Sequence, residues 1–374
     1  MSFLKKFTEL KKNKLNTTYL THNFHPYPAK FIPQIPRFFI EEFTNENEMV
    51  LDPFVGCGTT IVESKLLNRN SIGVDLNHIA TLISETKSTS LNADEIEETL
   101  RFIENLEKTS STITKTIDFP NIDHWFQQNV KEELMMLISS INRVNNYKVS
   151  NFLKTGLSSI ITSVSNQESD TRYVAKNKNI PDGKTIGLFK VKIKSMAERI
   201  KEFSEAASGS ISKIYNADST NLHFIKDNSV DLIVTSPPYA NTYDYYLYHK
   251  LRMYWLEFDV ANVKKNEIGS RDKHSSQRKE IDDFNENIKK CFQEAVRVLK
   301  PNRHAIVIIG DSVIRKKLYD AKKMMISMGK EIGLEFIDST SENLKKTTRM
   351  FNPNFTNALK FEHVMVFKNV KNDL

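Results

Sequence analysis

Two short stretches carry residue types and spacings able to hold a small molecule and act on a second one. The first is Leu51-Asp52-Pro53-Phe54-Val55-Gly56-Cys57-Gly58-Thr59-Thr60, directly after an apolar run and directly before a helix-like pattern. Glycines at 56 and 58 permit backbone angles closed to other residues and let the main chain approach a ligand, and Thr59 is placed to cap the helix. Asp75 ends the next apolar run, Ile72-Gly73-Val74-Asp75, where a carboxylate can accept hydrogen bonds from both hydroxyls of a ribose. The pattern predicts a nucleoside site. A polyphosphate loop would need a Gly-Lys-Ser/Thr ending, which is absent, and a dinucleotide fingerprint needs a third glycine that Glu63 and its neighbours do not supply.

The second stretch is Val230-Asp231-Leu232-Ile233-Val234-Thr235-Ser236-Pro237-Pro238-Tyr239, an apolar run leading into a stiff turn. Two prolines freeze the backbone and remove two N–H donors, so the local carbonyls and the Ser236 hydroxyl face a partner that must donate hydrogen bonds, such as an amino group. Tyr239 offers a flat face on which a base turned out of a duplex could stack. The run that follows, with Tyr243, Tyr245, Tyr246, Tyr248, Tyr254 and Trp255 interleaved with His249, Lys250 and Arg252, reads as an aromatic helix. Its first rings could line a base pocket, and the later ones pack the helix.

These stretches need a scaffold, and the periodicity supplies one. Apolar runs at 49–51, 71–74, 213–215, 231–234 and 305–309 read as buried strands, and helix-like stretches such as 60–67 and 284–299 lie between several of them. That alternation argues for an α/β class with a mostly parallel sheet and helices on both faces. Residues 334–338 and 363–367 read as two further strands, an antiparallel edge hairpin joined by a basic loop at 345–357. Between residues 93 and 208 long amphipathic segments, such as 130–144 and 184–203, interrupt the strand pattern and read as a helical lobe inserted into the sheet domain. Its polar centre, 166–182, is expected to be an exposed loop.

The 374 residues are enough for a catalytic domain plus a second lobe, and 39% hydrophobic with 26% charged residues is ordinary for a soluble globular chain. A formal charge of +7 and a pI near 9.0 favour a polyanionic partner. Cys57 and Cys291 lie far apart, so neither a disulfide framework nor a zinc knuckle is indicated, and the nine histidines show no metal-ligand spacing. The N-terminal stretch has no signal-like apolar core and no segment has the apolar length of a membrane span, which fits a cytoplasmic protein.

Taken together, Asp-Pro-Phe-x-Gly-x-Gly-Thr at 52–59 and Ser-Pro-Pro-Tyr at 236–239 resemble the cofactor and catalytic motifs of the S-adenosylmethionine-dependent amino-methyltransferases of DNA. In that family Ser-Pro-Pro-Tyr is more typical of cytosine-N4 enzymes, and Asp-Pro-Pro-Tyr or Asn-Pro-Pro-Phe/Tyr of adenine-N6 enzymes. The resemblance covers about residues 24–75 and 213–367, including Lys300-Pro301-Asn302 as the turn before the fifth strand. It implies a Rossmann-like methyltransferase fold with a seven-stranded sheet, formed by residues 20–92 and 209–370, with 93–208 as an inserted helical lobe and possible target-recognition region. It also implies S-adenosylmethionine as cofactor, held by Asp52, Phe54, Gly56, Gly58, Thr59, Asp75, Asp218 and Ser236. Phe24-His25-Pro26-Tyr27-Pro28-Ala29-Lys30-Phe31 resembles the segment that covers the methionine end of the cofactor, which adds Phe24, His25 and Lys30.

The activity so implied is direct methyl transfer to the N4 amine of a flipped cytosine in double-stranded DNA, with Ser236, Pro237, Pro238 and Tyr239 as the catalytic turn. Its setting would be restriction-modification or a related defence, with a cognate restriction endonuclease as a possible partner. Candidate DNA contacts are Arg172 and Lys176 in the insertion, Tyr243 after the catalytic turn, Arg271 and Lys273 in the basic stretch 264–279, and Arg349. Carbon-5 methylation is disfavoured because neither cysteine sits in a nucleophile context. Adenine-N6 methylation, a cofactor-binding recognition subunit without turnover and an RNA target are the competing readings.

Overall fold

The computed structural model describes residues 15–106, 116–170, 172–207, 209–270, 281–314, 317–344 and 359–371. Seven strands form one sheet: β1 (Met49–Asp52), β2 (Asn70–Asp75), β3 (Ser212–Asn216), β4 (Val230–Thr235), β5 (Leu299–Gly310), β6 (Leu334–Asn343) and β7 (Phe361–Asn369). Their order is β6-β7-β5-β4-β1-β2-β3. The five strands from β3 to β5 run parallel, and β7 lies antiparallel between β5 and β6. This is the Rossmann-like α/β arrangement that the alternating pattern predicts. Chain order reverses between β1 and β4, so the two connections leave in opposite directions and open a crevice at the carboxyl ends of these strands.

The longer helices are α1 (Gln34–Phe43), α2 (Thr59–Leu66), α3 (His78–Ser88), α4 (Ala93–Asn105), α5 (Gln128–Ile141), α6 (Tyr147–Val164), α7 (Lys184–Ala206), α8 (Tyr245–Trp255), α9 (Val260–Asn266), α10 (Ile281–Val298) and α11 (Ala321–Ile332). Alternate strand residues face opposite ways. Val50, Leu232 and Val234 pack with Ile35 and Phe39 of α1, whereas Leu51 and Ile233 pack with Phe292 of α10 and Met325 of α11. Helices α4 to α7 gather around a core of their own that includes Leu134, Phe152 and Phe203, and Leu251 and Trp255 of α8 are part of it. Helix α8 is thus built into the packing of α4 to α7.

Three expectations change. Residues 213–215 form β3 at the sheet edge, where Lys213 is exposed and Ile214 and Tyr215 are half-buried, because no strand among the described residues pairs with its outer side. Lys300-Pro301-Asn302 is not a turn before the fifth strand but a bulge within it: pairing slips between Val230↔Leu299 and Leu232↔His304, and Asn302 takes a φ of 62°. The polar stretch 166–182 contains a hairpin, Gln167–Ser169 against Arg172–Ala175, anchored by the buried Gln167 side chain on Ser169 O. The basic loop expected at 345–357 lies outside the described residues.

Buried Asp231 pins the amino ends of three strands, accepting from Met49 N at 3.0 Å, Lys300 Nζ at 2.7 Å and Arg303 Nη2 at 3.0 Å. Asp231→Ala leaves Met49 N and Lys300 Nζ without this acceptor, while Arg303 keeps Glu48, and is expected to cost about 1–3 kcal/mol, read as a lower urea midpoint. An unchanged midpoint would show that the strands do not depend on it.

Candidate active site

The loop after β1 is built to present a flat main-chain face. Asp52 is buried, with Oδ1 accepting from Phe54 N at 3.1 Å and from Thr235 Oγ1 at the end of β4 at 2.7 Å. Burial pushes its carboxyl up to about 6, against the hydrogen bonds from Thr235, Thr60 and Phe54. Gly58 has a φ of 77°, and a Cβ there would stand 2.8 Å from Ser84 Cα, so both backbone angle and space demand glycine. Gly58 also occupies the cap position of α2, with no side-chain cap, so Thr59 is the first residue of the helix and not its cap. From behind, α3 fastens the loop: Ser84 Oγ donates to Gly56 O at 2.9 Å and Lys87 Nζ to Cys57 O at 2.6 Å. The opposite face of the loop is left for the cleft.

That cleft holds about 950 Å³ of space, counting its open mouth, and runs across the carboxyl ends of the parallel strands. Asp75 at the end of β2 lines it, its two oxygens accepting from Gly56 N at 2.9 Å and Asn77 N at 2.8 Å. Withdrawal from water pushes its carboxyl up to about 6, opposed by these two backbone bonds. Asp218, after β3, lines the rim and caps its own turn through Thr220 N at 2.9 Å. Its neighbour Ser219 donates to Pro53 O, tying the rim to the β1 loop. Phe54 and Ile268 supply apolar wall, and Lys30 stands at the same cleft with its ammonium on His22 O at 3.0 Å.

The turn after β4 enters from the other side of the crevice. Ser236 and Pro238 line the cleft, and Pro237 is buried. Tyr239 donates its hydroxyl to Glu362 Oε1 of β7 at 3.0 Å, and its ring packs over Gly310, where a Cβ would lie 2.7 Å from Tyr239 Cε2. Burial, reinforced by the Glu362 charge, raises the phenol pKa and keeps it protonated. Tyr243 lies beside it, with ring centres 6.5 Å apart. Of the aromatic helix, Tyr245 reaches the cleft and stacks on Tyr27 at 5.9 Å, whereas Tyr246, Tyr248 and Trp255 are buried.

Among the sequence candidates, Lys30, Phe54, Gly56, Thr59, Asp75, Asp218, Ser236 and Pro238 come together around one cleft. Asp52 and Gly58 sit behind its lining and hold the loop. Phe24 and His25 point away from it: Phe24 packs edge-on against Phe152 with ring centres 5.8 Å apart, and His25 bridges Pro26 O at 2.6 Å and Ser158 Oγ at 2.9 Å. Arg172 and Lys176 are exposed on and beside the hairpin of the insertion, and Arg271, Lys273 and Arg349 lie outside the described residues. Tyr245 was expected among the first aromatic rings to reach a pocket, whereas sequence reasoning did not single out Tyr27, Asn77, Glu267 or Ile268 as lining residues. Tyr27 was within reach, being inside the proline-rich segment 24–31. Glu267 carries no motif; it directly follows α9 and accepts from Tyr245 N at 2.7 Å, so it caps the start of α8.

Comparison with known proteins agrees with this geometry. The Type II methyltransferase M.MvaI of Kocuria varians is 24% identical over 362 residues, covering 80% of this chain and 79% of that protein. M.BsoBI of Geobacillus stearothermophilus, also a Type II methyltransferase, is 26% identical over 319 residues, covering 76% of this chain and 62% of its own length. A solved S-adenosylmethionine-dependent methyltransferase of Methanosarcina mazei overlays 93% of this chain at 9% identity and a TM-score of 0.37, too loosely to add to the strand order. The DNA methylase family of N6 and N4 enzymes matches residues 3–86 and 230–373, which include both the loop after β1 and the turn after β4. With well over half of its length so matched, the chain belongs to the N6/N4 DNA methylase family.

Proposed function

We propose that this DNA methylase transfers a methyl group to the exocyclic N4 amine of a cytosine turned out of duplex DNA, as the modification half of a restriction-modification or related defence system. The observation that carries the reading is the adjacency of two strand ends: the glycine loop after β1 and the Ser236–Tyr239 turn after β4 are joined by the Thr235–Asp52 hydrogen bond and line one cleft. S-adenosylmethionine is the cofactor, as membership of a DNA methylase family entails. The residues present fit it. The Asp75 oxygens each take a single backbone N–H, which leaves acceptor capacity for a ribose diol. Asp218 can accept from an adenine amino group, Phe54 and Ile268 offer faces to its ring, and Gly56 lets the main chain approach. Asp75, Asp218 and Glu267 also give the lining the acidic character that suits a cationic ligand.

When bound, S-adenosylmethionine supplies a methyl group on a positively charged sulfur. The chain's own task is to present the amine. A cytosine N4 is a poor nucleophile because its lone pair is delocalised into the ring. Hydrogen bonds accepted by the Ser236 side chain and the Pro237 carbonyl favour a pyramidal nitrogen, and the stiff turn holds it in line at no further entropic cost. Tyr239, pinned by Gly310 and Glu362, gives the turn a fixed aromatic plane. Cys291 is not a competing nucleophile, since it is fully buried in α10 and its thiol pKa is pushed far up. Ser236 is the residue that favours cytosine over adenine.

Incubation with methyl-labelled S-adenosylmethionine and mixed-sequence duplex DNA, followed by digestion to nucleosides, should release N4-methylcytosine. Ser236→Ala should lower the turnover about 100-fold or more. Dominant 6-methyladenine overturns the base assignment, and an undiminished Ser236→Ala rate overturns the site.

A pH dependence follows from Asp75, whose ionised form is the better acceptor. The carboxylate takes up a proton as pH falls through about 6, so cofactor affinity should be level above pH 7 and decline by up to about tenfold per unit below 6. Asp75→Asn should weaken binding at least about tenfold at neutral pH and flatten that decline. Asp52 titrates in the same range but lies behind the lining, so calorimetry on the Asp75 variant assigns the effect. A wild-type profile flat down to pH 5 contradicts the assignment.

A further inference from the structure

The inserted helices carry a feature that the methylation chemistry does not use. On α8, Arg252 is fully buried, yet every nitrogen of its guanidinium is engaged: Nε with Ser158 O at 3.0 Å, Nη1 with Tyr248 O at 2.9 Å, and Nη2 with Thr162 Oγ1 at 2.9 Å and with Asp170 Oδ1. Asp170 lies at the turn of the hairpin Gln167–Ser169 with Arg172–Ala175. Arg252 is buried while the Asp170 side chain keeps 36% of its surface in water; a half-exposed pair of this kind gains little stability, and what it supplies is a fixed position. Here it fixes the hairpin relative to α8, whose first residue, Tyr245, lines the cleft. Seven residues of helix separate Tyr245 from Arg252, about 10 Å at 1.5 Å per residue.

The hairpin presents to solvent what a reader of DNA needs. Arg172, Val174 and Lys176 are exposed, and Val174 keeps 53% of its surface in water. Glu168 accepts from Arg172 across the turn at 3.0 Å, so a forked donor and an acceptor stand side by side. Lys250 of α8 lies against the opposite face of the hairpin, its Nζ 5.5 Å from the Tyr173 ring centre and 5.8 Å from that of Tyr254, and so helps seat the ribbon on α8. A two-stranded antiparallel ribbon matches the width of the major groove. We propose that this hairpin is a base-reading ribbon for duplex DNA, held at a fixed offset from the target nucleotide by the Arg252–Asp170 strut. The proposal rests on the methylase reading and adds to it the element that reads sequence and the residues that set its reach.

Two variants test it. Arg172→Ala with Lys176→Ala alters exposed side chains alone; fluorescence anisotropy should show about tenfold weaker duplex binding and a log–log salt slope smaller by one to two, with cofactor affinity unchanged. Asp170→Asn loosens the strut, and sequencing of methylated sites should show transfer spreading to sites that differ in the bases flanking the target. If the wild type methylates DNA while both variants keep its binding, salt slope and site profile, the ribbon is not the reader and the methylase reading stands. If the wild type methylates no duplex, the parent reading fails, and the anisotropy comparison still decides whether the ribbon binds DNA. Should Asp170→Asn fail to fold, the exposed double variant carries the test.

Discussion

A hydrogen bond from Thr235 Oγ1 to Asp52 Oδ1, 2.7 Å long, joins the ends of β1 and β4, and the working geometry is organised around it. The two strands are parallel neighbours paired at Val50↔Leu232 and Leu51↔Ile233, so their carboxyl ends emerge together. One chain segment then turns towards β2 and the other towards β5. The crevice that results is a property of the strand order, but strand order alone leaves two loops free to splay. Asp52 removes that freedom by accepting from the strand end on one side and from its own loop, at Phe54 N, on the other. Holding a carboxylate there is costly, as its upward pKa shift shows, and the cost is tolerated where position matters more than stability.

The same logic extends outward through α8. Its first residue faces the cleft, Leu251 and Trp255 are packed into the core of the inserted helices, and Arg252 reaches the hairpin between them. At the other end, Glu267 caps it from the loop that carries Ile268 of the cleft wall. A rigid element fastened at both ends cannot move at one without moving at the other. The insertion, which interrupts the family match between residues 86 and 230, is therefore mechanically continuous with the site and not a separate appendage.

What could be read from the sequence was what local chemistry decides. The central strands are apolar runs stopped by polar residues, and Gly56, Gly58, Asp75 and Ser236 declare themselves by type and position. The features that escaped reading depend on partners distant in the chain. Phe24 and His25 look like cofactor contacts until Phe152 and Ser158, supplied by α6, draw them inward. Glu267 has no motif because its role is to cap a helix that begins at Tyr245. Gly58 displaces Thr59 as the cap because Ser84, from the next helix, leaves no room for a side chain. The hairpin at 167–175 was read as loop since its strands are three and four residues long and one of them is almost wholly exposed, which erases the alternation that marks a strand.

Charge divides the molecule in a way that composition hides. The chain as a whole carries +7, which draws it to a phosphate backbone, yet the cleft is lined by Asp75, Asp218 and Glu267 against the single exposed cation Lys30 among its described lining residues. A polyphosphate entering that cleft would meet like charge, whereas a sulfonium ligand and an amine would meet acceptors. Basic residues are placed outside: Arg172 and Lys176 on the insertion, Lys250 and Lys264 along the outer side of α8 and α9. Positive charge thus stands outside the cleft and hydrogen-bond acceptors within it, so a polyanion is attracted to the rim but not into the pocket.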